Sequence, residues 1–234
     1  MMKLDQRTIA HLRLCNQQLV SSHCGTPAEV VARLGAMQAQ DYANALWAVG
    51  VRLPGSTVTQ VEQALADHSI IRTWPMRGTL HFVATADVRW MLELLASRSV
   101  AASAGRLRQL EIDEPTLRRS GELLREELQG GRQRSRPALF SLLDAAGIST
   151  AGQRGFHILG HHAQTGLVCL GVQEGKQPTF ALLAEWAPTA SSRRVGKHWL
   201  SWRGVTSPGT VRDDRGFGAL GGDYPDRCPR RSCL

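Results

Sequence analysis

No stretch of the 234-residue chain approaches 18 consecutive apolar residues, so we expect no membrane-spanning helix. Residues 1–7 carry no apolar core of the kind a signal peptide needs, which makes a cytoplasmic protein the default expectation. The five cysteines, Cys15, Cys24, Cys169, Cys228 and Cys233, form no Cys-x-x-Cys pair, and their number is odd. That argues against a disulfide framework and against a zinc knuckle, and leaves free thiols. No His-Glu-x-x-His pattern is present, although His157 and His161 stand four residues apart. Without the catalytic glutamate, that spacing reads as a helix facing solvent or a partner, not as a metal site. Lysine is also scarce, at 3 against 25 arginines.

What is present is a chain with 42% hydrophobic residues, enough to bury a sizeable core in one large domain or two to three modules. The formal charge of +8 favours an anionic partner such as nucleic acid. The charge is uneven, however. Residues 189–234 hold nine basic and four acidic side chains, five of the eight net charges, so the body is mildly basic. Arginine suits phosphate recognition, but GC-rich coding favours it equally.

The most informative stretch is 35–52. Val30, Leu34 and Met37 continue a helical stripe into it, and Ala45, Leu46, Ala48, Val49 and Val51 form an apolar element after it. Between them lies Gln38-Ala39-Gln40-Asp41. If the helix ends near Met37 and the chain is extended, residues two apart point the same way and both carboxamides face one point. On a helix they would diverge. From the residues alone, the glutamines either close a helix end or act on something. Asp41 is a candidate N-cap for the next helix.

The rest of the chain divides by period. Helices are predicted over about 5–20, from Thr26-Pro27 to the glutamines, 43–51 and 57–68. Residues 70–74 and 79–83 are β-branched and aromatic runs around Pro75-Met76-Arg77-Gly78, a hairpin signature. The order then recurs: helices over about 88–95, 99–110, 114–128, 135–146 and 151–164, followed by a hairpin from 167–172 and 179–183. Helices closed by a hairpin describe a winged helix. The fold class expected is therefore mainly α with short β-hairpins (α+β), as tandem winged-helix modules over 1–84 and 85–183. Arg72 and Arg77 fall on the first wing, and Arg132, Arg134 and Arg136 on a basic connector. All five are candidates for phosphate contact, against the alternatives of solvated charge or, for Arg72, burial beside an acid. His81 alternates with apolar neighbours and reads as packed. Trp47, Trp74 and Trp90 read as core, with base stacking as the alternative.

Met37-Gln38-Ala39-Gln40-Asp41, Ala48-Val49-Gly50-Val51-Arg52 and Arg72-Thr73-Trp74-Pro75-Met76-Arg77-Gly78-Thr79-Leu80-His81-Phe82-Val83 together resemble the tandem winged-helix, AlkZ-like bacterial DNA glycosylases, over about residues 5–188. The resemblance implies three stacked winged-helix modules and a monomer that grips double-stranded DNA, alkylated or crosslinked. It implies removal of alkylated purines or unhooking of interstrand crosslinks with no cofactor and no metal. It also assigns catalysis to the Gln-x-Gln string, here Gln38 and Gln40. The chemistry is consistent: an N7-alkylated purine is cationic and its glycosidic bond weak, so a positioned water and dipoles facing the sugar suffice. The alternatives are a non-catalytic winged-helix regulator and a truncated, inactive paralogue.

Residues 184–234 depart from that pattern. They contain Gly- and Arg-rich sequence without periodicity and end in two cysteines. We expect a remnant of a third module, missing or scrambled, or a disordered tail read out of frame after about residue 190. The gene's nucleotide sequence decides between them.

Overall fold

A computed structural model describes residues 5–20 and 22–188; the third-module remnant or tail expected beyond them, over 189–234, lies outside the described residues. The first helix, α1 (Gln6–Asn16), is capped by Asp5 and buries none of its residues. Thr26 caps α2 (Pro27–Leu34), with Pro27 preset for the first turn. Gly35, at φ 80°, stops α2 in the left-handed region open to glycine. The helix therefore ends at Leu34, short of the glutamines, and Ala36–Gln38 is a strand, β1. Asp41 caps α3 (Tyr42–Gly50). A capping box between Thr57 and Gln60 opens α4 (Val58–Ala66).

The first hairpin joins β2 (Ile70–Met76) to β3 (Thr79–Ala84) through Arg77 and Gly78, both at positive φ, 52° and 67°. Two such residues make the turn whose twist matches the strands. Next come α5 (Val88–Met91), a π turn (Leu92–Ala96) and α6 (Ser97–Gln109) in one run. They lead to α7 (Glu114–Leu128), the short β4 (Arg134–Ser135), α8 (Arg136–Ala145) and α9 (Arg154–Gln164). A second hairpin, β5 (Val168–Glu174) and β6 (Gln177–Leu182), precedes α10 (Leu183–Trp186).

All six strands form one antiparallel sheet in the order β1-β3-β2-β5-β6-β4. Each half repeats the same arrangement: a short strand pairs with the second strand of the following hairpin, and the first strands of the two hairpins meet at the seam. There Arg72 pairs with Leu170. The halves share their cores as well as their backbone. Val30, Leu46, Val61, Ile70 and Phe82 fill the first helical core. Trp74 and Leu80, at the far end of the first hairpin, leave that core and pack with Leu124, Leu159 and Phe180 of the second half. A third cluster lies at the join, where Ile71 and Val83 meet Trp90, Cys169 and Trp186. Among the described residues, no helix is long and apolar enough to cross a membrane.

Candidate active site

The alternation expected around the glutamines is present. Met37 and Ala39 are buried, at 7% and 0% exposure, while Gln38 and Gln40 are exposed. The strand ladder breaks at this point. Ala39 N–H donates to Leu80 O at 2.7 Å, but Leu80 N–H does not return the bond to Ala39. It donates instead to the side-chain Oε1 of Gln40 at 3.2 Å. The Gln40 carboxamide is thereby oriented, with one lone pair on Oε1 and both amide hydrogens still available.

The displaced Ala39 carbonyl is taken by Arg72. Its Nε and Nη2 both donate to Ala39 O, at 3.1 and 2.7 Å, and Nη2 also donates to Gln40 O at 3.3 Å. Its guanidinium lies 5.1 Å from the centre of the Tyr42 ring, a cation–π distance. Burial pushes the Arg72 pKa down from its ordinary value, and Tyr42 and Asp41 pull it back up. The expectation that Arg72 reaches phosphate from the wing surface is corrected here. The side chain is 7% exposed, and its Nε and Nη2 are turned to the backbone at the two glutamines. Among the described residues, no acidic side chain accepts from it either. Its partner is a carbonyl, a pairing that arises because Gln40 displaced the strand bond.

His81 pairs across the ladder with Gln38 on one side and Thr73 on the other, so the three side chains share one face. It is 5% exposed, packed as the alternation predicts. Nδ1 lies 2.9 Å from Thr79 O. Because that carbonyl only accepts, the hydrogen sits on Nδ1 and Nε2 carries the lone pair. Burial, aided by Arg77, lowers the ring's pKa and keeps it neutral.

The other arginines separate into two groups. Arg77 is exposed at the hairpin tip, and Arg136 is exposed in the first turn of α8. Arg132 turns back to the carbonyls of Gln129 and Glu126 at the end of α7, and Arg134 is ion-paired with Glu127. Trp74 and Trp90 are core, as expected, but Trp47 is 69% exposed on α3. Among α9's histidines, His162 is buried against the Ser120 hydroxyl at 2.9 Å. No group of three His, Cys, Asp or Glu side chains that could hold a metal occurs among the described residues.

The sequence profile of the family described as "DNA glycosylase AlkZ-like" matches residues 31–219. The chain belongs to the AlkZ-like family. The match covers Gln38 and Gln40, and it runs past residue 188 into the segment that lies outside the described residues. A curated relative, the "Interstrand DNA cross-link repair glycosylase" of Streptomyces sahachiroi, is 32% identical over 96 residues, 41% of this chain and 26% of the relative. The solved structure of Streptomyces sahachiroi DNA glycosylase AlkZ is similar in fold, with a TM-score of 0.67 at 24% identity over 81% of this chain. The AlkZ-like chain described here spans 52% of that structure's length.

Proposed function

We propose that the chain is a DNA glycosylase that hydrolyses the N-glycosidic bond of alkylated purines, those joining interstrand crosslinks included. Gln38 and Gln40 orient the attacking water. One observation carries this reading. The two exposed carboxamides flank a buried alanine whose carbonyl is clamped by a buried arginine, so their spacing is fixed before substrate arrives. Preorganised dipoles of this kind cost no reorganisation at the transition state. Family membership supports the same chemistry, and the relatives' names are those of crosslink-repair and DNA glycosylases.

In this mechanism the departing alkylpurine needs little acid assistance, because it is already cationic. Water approaches C1′ of an oxocarbenium-like sugar, oriented by hydrogen bonds to the free lone pair on Gln40 Oε1 and to the Gln38 carboxamide. The repeat of helix, short strand, two helices and hairpin supports a tandem winged-helix reading, with α2–β3 and α7–β6 as the two modules. Duplex DNA is then held through phosphates, for which Arg77 and Arg136 are the exposed candidates.

Arg77 adds a further argument. A non-glycine residue at φ 52° is strained, and glycine or asparagine would fit the turn better. An arginine placed there is explained by what its side chain does.

The test is release of N7-methylguanine from a duplex under single-turnover conditions. We expect Gln38→Ala and Gln40→Ala to abolish release while DNA binding persists. Release unchanged in both variants would remove the assignment. No release by the parent, together with binding selective for one sequence, would make the chain a regulator.

A further inference from the structure

Counting outward from the seam aligns the two halves of the sheet row by row. Arg72 pairs with Phe82 and Phe82 with Met37; Leu170 pairs with Phe180 and Phe180 with Arg134. The next row is Thr73–His81–Gln38 in the first half. In the second half it is Thr179–Ser135, with Gly171 next along β5.

The second row is closed. The Thr179 hydroxyl lies 2.9 Å from Gln133 Oε1 and 2.5 Å from Val172 O, and Val172 N–H donates to the same Gln133 oxygen at 2.9 Å. A β-carbon on Gly171 would collide with that oxygen, so the carboxamide lies directly over the strand. The Thr179 hydroxyl and the Gln133 carboxamide oxygen are satisfied within the protein.

The first row is open. Thr73 is 0% exposed, yet its hydroxyl has no hydrogen-bond partner among the described residues. The His81 ring gives Nδ1–H to Thr79 and presents a bare Nε2. The Gln38 carboxamide, directly across from it, is exposed. The copy beside the glutamines therefore keeps a bare imidazole nitrogen next to an exposed carboxamide, where the other copy's threonine hydroxyl and facing carboxamide oxygen are spent on each other.

We propose that His81 is a catalytic residue whose Nε2, with the Gln38 carboxamide, holds the attacking water and takes the proton that water loses. The proposal rests on the glycosylase reading above. Opposite residues on an antiparallel pair stand about 5 Å apart at Cβ, which sets the exposed Gln38 carboxamide beside the His81 ring. The water oxygen forms the bond to C1′ and the glycosidic bond breaks, its electron pair passing to the purine, which leaves neutral. The proton moves from the water to Nε2 and from there to solvent. Facing the ring, β1 contributes Gln38 and β2 contributes Thr73, both uncharged; Arg77 of its own hairpin is the charge the ring feels.

Single-turnover release from an N7-methylguanine duplex, measured from pH 4.5 to 8, tests this beside thermal melting and DNA affinity. The wild-type rate falls with acid as the imidazole protonates, on a limb below about pH 6.5 because burial lowers its pKa. His81→Gln binds DNA as the parent does, releases base about 100-fold more slowly, and loses the acid limb. Thr73→Val trades an orphan hydroxyl for a methyl group. It melts higher than the parent and keeps the parent's rate, because the sealed Thr73 hydroxyl does not touch the attacking water. Thr179→Val, in the closed row, leaves the rate unchanged.

A His81→Gln protein that binds DNA and keeps the wild-type rate or the acid limb overturns the proposal. A His81→Asn protein decides by the same two readings if His81→Gln no longer binds DNA. Gln38→Ala separates the two levels of the argument. Its inactivity alongside an active His81→Gln leaves the glycosylase reading standing, and its full activity removes the reading itself.

Discussion

Replacing Arg72 by methionine removes the clamp between the glutamines while keeping most of the buried volume. Methionine fills the space of the aliphatic stem, but the Ala39 carbonyl loses both of its donors, at 3.1 and 2.7 Å, inside a residue of 0% exposure. An orphaned buried acceptor costs about 1–3 kcal/mol. The lost contact with the Tyr42 ring adds about 1 kcal/mol. Sparing the protein the desolvation of a guanidinium offsets part of this. The net expectation is about 2–3 kcal/mol, seen as a fall in Tm of about 5–10 °C for a chain of this size. The effect on chemistry is larger, because a displacement of about 1 Å in the Gln40 backbone costs roughly 100-fold in rate. Arg72→Lys, which keeps the charge but not the fork, falls between the two. The assays are thermal melting, single-turnover base release, and DNA affinity as a function of salt. The slope of affinity against salt does not change in Arg72→Met, since Arg72 touches no phosphate. A variant that melts and cleaves like the parent but shows a salt slope lower by about 1 would refute the clamp and restore Arg72 to the DNA surface.

At the hairpin tip, Arg77→Gly relieves a left-handed arginine and raises stability by about 1 kcal/mol. It also weakens DNA binding and lowers the salt slope by about 1, so melting and affinity move in opposite directions. His162 is held neutral by burial, with its pKa pushed down to about 4 by burial first and then by His161 and Arg125. Its contribution to stability is complete above about pH 6.5 and is lost as pH falls toward 4, at most about 3 kcal/mol. Denaturation series across that range show the loss, and His162→Gln flattens it. Burial raises the Cys169 thiol to about 12, so Cys169 resists alkylation in the folded protein and reacts only after unfolding, as mass mapping will show.

Local signals in the sequence were enough to read the elements. Thr26-Pro27, Asp41 and Thr57 announced their helices through side-chain geometry, and the change of period at Ile70 announced the first hairpin. The shared face of Gln38 and Gln40 followed from the alternation with Met37 and Ala39. Arg72 was misread because its burial has no local cause. It depends on Gln40 capturing Leu80 N–H, which vacates a carbonyl 33 residues away in sequence. Gly35 was the missed stop signal that ends α2 before Met37. The single sheet could not be read either, since hydrophobic pattern marks which residues pair within a hairpin and says nothing of which hairpin edges meet. The same holds for Trp74 and Leu80, whose apolar character was plain but whose core belongs to the other half.

The seam has a mechanical consequence. Arg72 is the residue whose backbone pairs with Leu170 of the second half and whose side chain holds the peptide between the two glutamines. Any twist of one half against the other is therefore delivered, through a single rigid guanidinium, to the spacing of the carboxamides. A lesion that bends or stiffens the duplex differently from undamaged DNA would load that lever differently. The sheet would then register how the duplex is held as well as which base is presented, with no hinge between grip and chemistry.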